Sequence, residues 1–173
     1  MSQASNMVKW CLNKADKELK ECREKGLRPQ HRGLVKYASN MAEKHLIKAE
    51  HNLNAIIYLH EGKFEDIGVS MVFYSMYHCM LAIAAKFGYE SRNQSCTIAL
   101  MEYLKEEGKI DIDDRFINML KYAEDDSKDR VIEMREEYTY GTEIAVTNKE
   151  KMDGMIEDCR KLIDAARDIV LGK

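Results

Sequence analysis

Apolar side chains recur at three- and four-residue steps along almost the whole of this 173-residue chain, and a single proline, Pro29, interrupts it. That pattern commits the sequence to helices. Side chains three and four apart share one face of an α-helix, whereas a half-buried strand needs alternation with a period of two, and no segment sustains one. The spacing predicts a first helix over about Asn6 to Lys25, with Val8, Leu12, Ala15, Leu19 and Cys22 on one face and Gly26 ending it. A second, over Ser39 to Glu61, carries the stripe Ala42, Leu46, Ala49, Leu53, Ile56 and Ile57. The turn at Gly62 is so short that the third helix, Phe64 to Phe87, is expected to pack antiparallel to the second. The third is apolar around most of its circumference, through Phe73, Tyr74, Met76, Tyr77, Met80, Leu81 and Ile83, which places it at the centre of a bundle or in a dimer.

Gly88 stops that helix. Tyr89-Glu90-Ser91-Arg92-Asn93-Gln94 reads as a polar loop, and a fourth helix runs from Gln94 to Gly108. Asp111 is expected to cap a fifth, with Asp113 and Asp114 favouring its positive end. This element carries Phe116, Ile117, Leu120, Val131 and Met134, with a break placed around Asp125-Asp126-Ser127. Tyr138-Thr139-Tyr140-Gly141-Thr142 reads as a loop. Thr147 and Glu150 form a capping-box pattern opening the last helix, whose apolar face runs from Met152 to Val170. The expected fold is all-α, an up-and-down antiparallel bundle of five to six helices. Residues 1–33 form an N-terminal helix and linker packing on the bundle, and residues 34–173 form the bundle itself. A chain of this length buries roughly 70% of its unfolded surface and needs no disulfide or metal to hold together.

Charge narrows the partners. The 27 basic and 30 acidic side chains alternate in sign along most helices and leave a net charge of −3. A duplex-DNA surface, which needs a basic stripe, is therefore disfavoured, while a small cationic cleft stays open. The cysteines, Cys11, Cys22, Cys79, Cys96 and Cys159, are odd in number and contain no C-x-x-C pair. They read as five reduced thiols in a cytoplasm. No signal peptide pattern opens the chain, and no apolar run is read as approaching the ~20 residues of a membrane span. There is no glycine-rich phosphate loop and no H-E-x-x-H, and His45 and His51 do not share a helix face. Neither a metal nor a cofactor is expected.

Three segments are candidates for chemistry. Within the apolar third helix, Phe73 to Ala82 includes hydroxyls and the His78 imidazole, all of which need hydrogen-bond partners. Either their tips reach the rim of the core, or Tyr77 and His78 face a cleft. Arg135 follows Val131 by one turn, beside the apolar stripe. A guanidinium there needs a carboxylate or a phosphate, and Tyr138 and Tyr140 follow it. Asn93 and Gln94 place polar groups at a helix start, where anions bind, although Asn93 equally suits an ordinary N-cap.

Together these segments resemble the HEPN family. The resemblance runs from about Ala38 to the C-terminus. It rests on the charged helix Ala38 to Leu53, the turn Glu61-Gly62-Lys63-Phe64-Glu65-Asp66, the aromatic helix Phe73 to Ala82, and Arg135 followed by tyrosines and a capped final helix. It implies a helical bundle, commonly a homodimer, with its site near the dimer cleft. Active HEPN ribonucleases carry an R-x4–6-H motif that serves metal-independent RNA cleavage. Arg135 matches the arginine, but Tyr140 stands where the histidine would, and no histidine follows His78. Phenols ionise near pH 10 and are poor general bases at neutral pH. The resemblance therefore implies a module binding a nucleotide, RNA or a protein partner through Arg135, Tyr138, Tyr140, Tyr77, Asn93, Gln94 and His78. The alternative is a metal-independent endoribonuclease using Arg135 with a non-standard base, His78 or Tyr140. Many HEPN proteins pair with a nucleotidyltransferase as toxin and antitoxin. By the same resemblance Tyr138 or Tyr140 is a candidate acceptor of AMP.

Overall fold

A computed structural model describes residues 2–37, 40–122, 130–142, 144 and 149–172. Helix α1 spans Gln3–Glu24. It begins where the Ser2 hydroxyl accepts the Ser5 N–H, an N-cap that satisfies one of the four orphan amides of a helix start. It ends before Gly26, whose φ of 63° is the left-handed conformation that closes helices. Ala4, Val8, Cys11 and Ala15 are its buried residues. Leu12, Leu19 and Cys22, expected on the same face, are only half-buried.

The chain then returns along α1 as a short strand, β1 (Leu34–Lys36). Gly33 permits the close approach, because a Cβ there would stand 2.4 Å from the backbone oxygen of Cys11. Strand β1 pairs antiparallel with β2 (Tyr89–Ser91), Val35 opposite Glu90. This corrects the reading of residues 89–94 as a loop throughout. A three-residue strand is too short to show alternation, and its partner lies on the far side of two helices in sequence.

Helices α2 (Ala42–Glu61) and α3 (Glu65–Lys86) form an antiparallel hairpin. The expected start of α2 at Ser39 lies outside the described residues. The contacts run in opposite directions along the pair: His45 meets His78, and the buried Ser75 hydroxyl donates to the Ala49 carbonyl at 3.0 Å. Helix α4 (Gln94–Glu106) starts at Asn93, whose side chain accepts the Cys96 N–H at 2.9 Å. Helix α5 (Asp114–Met119) is capped by Asp113 rather than Asp111, because Ile112 between them turns into the core.

The expected fifth helix is in fact two. Helix α5 stops at Met119, and α6 (Val131–Tyr140) is a separate element. Tyr138, Thr139 and Tyr140 belong to α6 and are not a loop. The break expected at Asp125-Asp126-Ser127 and the cap expected at Thr147 fall outside the described residues. Helix α7 (Lys149–Leu171) buries the predicted face, including Met152, Ile156, Cys159, Ile163 and Ala166. The all-α bundle stands, with seven helices among the described residues rather than five or six.

Helix α3 is the centre. It packs against α2, α4, α6 and α7, and Val69, Val72, Met76, Cys79, Met80 and Ile83 are fully buried. By length and composition α3 is apolar enough to cross a membrane, against the expectation that no run would be. Most of it is buried inside the bundle, where neighbouring helices cover its apolar circumference.

The cysteines also depart from expectation. Cys11 and Cys96 form a disulfide that ties α1 to α4, with Cα atoms 5.9 Å apart. Residues 85 apart in sequence could not be paired from spacing, and the odd count hid one bridge among three free thiols, Cys22, Cys79 and Cys159. Burial pushes the Cys159 thiol up to about 12, and Cys79 is also raised by burial, so both are inert core residues.

Candidate functional site

Helix α6 crosses α3 so that the guanidinium carbon of Arg135 sits 4.3 Å from the centroid of the Phe73 ring. Such a cation–π contact contributes on the order of 1–2 kcal/mol when partly desolvated and holds the guanidinium against an apolar surface. The Arg135 side chain stays 22% exposed, and its Nη2 is 3.9 Å from Glu136 Oε1, too far for a hydrogen bond. Beneath Arg135 the aromatic contacts continue. Phe73 stacks on Tyr77 at 5.7 Å and meets Tyr74 edge-on at 5.4 Å.

The far end of this column is polar and fully paired. The Tyr77 hydroxyl lies 3.0 Å from Thr97 Oγ1, which itself reaches Ser91 Oγ at 2.7 Å and the Asn93 carbonyl at 2.9 Å. Burial raises the Tyr77 pKa above its ordinary value, outweighing the hydrogen bonds from Thr97 and Ser91 that lower it. Tyr77 therefore stays a neutral phenol and joins α3 to the start of α4.

Around Arg135 lies a second set of groups. Tyr122 donates its hydroxyl to Glu136 at 2.6 Å. That hydrogen bond, with burial and the Glu136 charge, raises the Tyr122 pKa, while Arg135 opposes the shift. Thr139 and Ser70 share a hydrogen bond of 3.1 Å between α6 and α3. Tyr138 is half-buried against the core, whereas Tyr140, the last residue of α6, is 83% exposed.

The family model described as HEPN domain matches residues 42–169 of this chain. The chain belongs to the HEPN family. No curated protein matches it. In this HEPN protein, helix α1, the 25–33 connection and β1 lie ahead of the matched residues.

The HEPN fold brings together some of the residues expected from sequence and separates others. Arg135, Tyr138 and Tyr140 share α6, and Tyr77 reaches Arg135 only through Phe73. His78 is apart from them. It lies five residues after Phe73 on α3, about 140° around the helix axis and about 7.5 Å along it. There it faces α2, with its Nδ1 3.0 Å from the Nδ1 of His45. Burial lowers the His78 pKa to about 4, helped by the His45 and Lys48 charges, and burial likewise lowers His45 against the pull of Glu90. His78 is thus a neutral imidazole engaged with another, and within one chain it is not placed to act with Arg135.

Asn93 and Gln94 are committed to structure. Asn93 is the α4 cap, and Gln94 donates to the Leu120 carbonyl at 2.7 Å, tying α4 to the end of α5. Gln94 also lines a groove of about 980 Å³ between α1 and α4, together with Met7, Trp10, Ile98 and Tyr122. Tyr122 therefore touches both this groove and the carboxylate next to Arg135.

Reading the sequence did not single out Tyr122, Glu136, Ser70 or His45 as members of any site. Glu136 had one signal, its adjacency to Arg135. Tyr122 had none, because it reaches α6 from a different segment of chain. Among the described residues, no group of three or more His, Cys, Asp or Glu side chains is placed to hold a metal ion.

Proposed function

We propose that this HEPN domain is a binding module for a nucleotide, an RNA or a partner protein, with Arg135 as the anchor for a phosphate. The observation that carries the reading is the state of Arg135. Its guanidinium is positioned by Phe73, part-exposed, and not hydrogen-bonded to the nearby Glu136 carboxylate. Arginine in that condition presents forked donors suited to phosphate oxygens. Tyr122, which is bonded to the neighbouring Glu136, and the exposed Tyr140 at the end of the same helix supply aromatic surface on which a base stacks.

The same reading makes the protein a component of a toxin–antitoxin pair whose other member is a nucleotidyltransferase. A homodimer fits the exposed Ile67 and Tyr74 of α3; Tyr74 meets Phe73, the ring beneath Arg135. The endoribonuclease alternative has less support, because His78 is turned to α2 and the groups nearest Arg135 are phenols and a carboxylate.

The test is fluorescence anisotropy with labelled single-stranded RNA and with labelled ATP, in EDTA, for the wild type and Arg135→Ala. Binding lost in the variant supports the module. Equal binding by both would remove Arg135 from the site, and RNA shortened by the wild type alone would revive the endoribonuclease.

A further inference from the structure

Away from Arg135, four cationic side chains gather about the connection that follows α1. A pocket of about 600 Å³ opens there, and Lys25, Arg28, Arg32 and Arg92 line it. Among the described residues the side chains of Lys25, Arg28 and Arg32 make no ion pair, while Arg92 is held by Glu90 at 2.8 Å. Two carboxylates, Glu18 and Glu21, also line the pocket. Glu18 is already committed, since it accepts the backbone N–H of Arg32. The Cys22 thiol holds the Gln30 carbonyl at 3.7 Å, so the loop is tied back to α1 at two points. Pro29, just ahead of these ties, further restricts the backbone.

His31 gives the pocket its second, independent mark. The residue lines the pocket yet is only 8% exposed. Its Nε2 stands 3.6 Å from Glu90, and its Nδ1 is buried with no hydrogen-bond partner. A buried polar atom without a partner is costly, and its presence in a native fold calls for one. When its Nδ1 carries a proton, an imidazole in the wall of a pocket lined by arginines completes a donor set for an oxyanion.

We propose that this pocket is a second anion site, distinct from the Arg135 surface, and that it takes a phosphate group. Arg28 and Arg32 form its outer clamp and His31 its wall. Apart from Arg92, its lining residues lie ahead of those the HEPN model matches, so it depends on this chain's N-terminal segment and stands whether or not Arg135 binds nucleotides. The phosphate belongs either to a small phosphate compound or to the backbone of an RNA strand.

The experiment is an amide and arginine side-chain NMR titration of the full chain with inorganic phosphate, at ionic strength held constant with sodium chloride. The expected result is saturable shifts confined to residues 25–33 and Arg92, weakened roughly tenfold or more in an Arg28→Ala/Arg32→Ala double variant. Both side chains are exposed, so the variant keeps its fold, and its unchanged distant resonances verify that. Shifts that do not saturate, or that sodium chloride alone reproduces, overturn the proposal. A second arm adds a short single-stranded RNA. If it moves the same resonances and phosphate displaces it, the site reads a nucleic-acid backbone. If it leaves them still while phosphate moves them, the ligand is a small phosphate compound.

Discussion

The Nδ1 atoms of His45 and His78 face each other at 3.0 Å across the contact between α2 and α3. One nitrogen donates and the other accepts, so the contact requires at least one neutral ring. The His78 pKa falls to about 4 through burial and the His45 and Lys48 charges, and His45 is lowered by burial although Glu90 pulls it up. Between pH 6.5, the ordinary imidazole value, and about 4 the unfolded chain therefore binds more protons than the folded one. Stability from this pair is fully present above pH 6.5 and is lost as pH falls toward 4. After discounting for partial exposure the loss is on the order of 1–2 kcal/mol. Urea unfolding at pH 7.5, 6 and 5 measures it. His78→Gln should flatten the slope, and a variant as acid-sensitive as the wild type would show that other groups dominate.

Arg135 is held by a ring rather than by a carboxylate, and this separates its structural from its binding role. Removing the guanidinium with Arg135→Ala gives up the contact with Phe73, about 1 kcal/mol of stability. The loss of a forked phosphate contact should weaken RNA or nucleotide binding by about tenfold or more. Arg135→Lys should recover little of it, since an ammonium cannot donate in a fork. Parallel denaturation and anisotropy curves distinguish the two effects. Binding that falls only in proportion to stability would mean Arg135 is a packing residue.

The helices were legible because each buries a stripe that the sequence repeats. The face from Met152 to Val170 and the apolar circumference of α3 are where the spacing put them. What spacing could not show depends on contacts distant in sequence. The β1–β2 pair is two three-residue strands, and Cys11 meets Cys96 only because α1 lies against α4. Local chemistry also misled at two places. Asp111 and Asp113 are equally good caps by type, and burial of Ile112 decided between them. Gly141 and the tyrosines before it read as loop, yet α6 continues to Tyr140 because the buried Val131 and Met134 hold that helix against α3. Of the candidate site, Arg135 with its tyrosines was visible, and the separation of His78 was not, since it depends on which neighbour α3 presents each flank to.

The Cys11–Cys96 bridge fastens α1 to α4 across 85 residues. Closing so long a loop restricts the unfolded chain, and typical bridges contribute about 2–4 kcal/mol. Reduction with dithiothreitol, or the Cys11→Ser/Cys96→Ser variant, should lower the free energy of unfolding by that amount and the denaturation midpoint with it. The transition should stay cooperative, because most of the core surrounds α3. A midpoint insensitive to reductant, with the mass of the fully reduced chain under native conditions, would show that the two thiols stay unbonded.

Tyr138 and Tyr140 stand two residues apart on α6 but in opposite environments. Tyr138 is half-buried against the core, whereas Tyr140 is 83% exposed at the last position of the helix. If a cognate nucleotidyltransferase transfers AMP to this chain, the hydroxyl must leave the surface to enter a foreign active site, and only Tyr140 can do so without unpacking α6. Incubation with the transferase, ATP and magnesium should raise the intact mass by one AMP. The gain should vanish in Tyr140→Phe and persist in Tyr138→Phe. An unchanged wild-type mass would sink the acceptor role, and a gain that survives Tyr140→Phe would move it to another hydroxyl. Arg135→Ala adds a further discrimination. If the arginine steadies the incoming phosphate, its removal lowers the rate of transfer without changing which tyrosine carries the product.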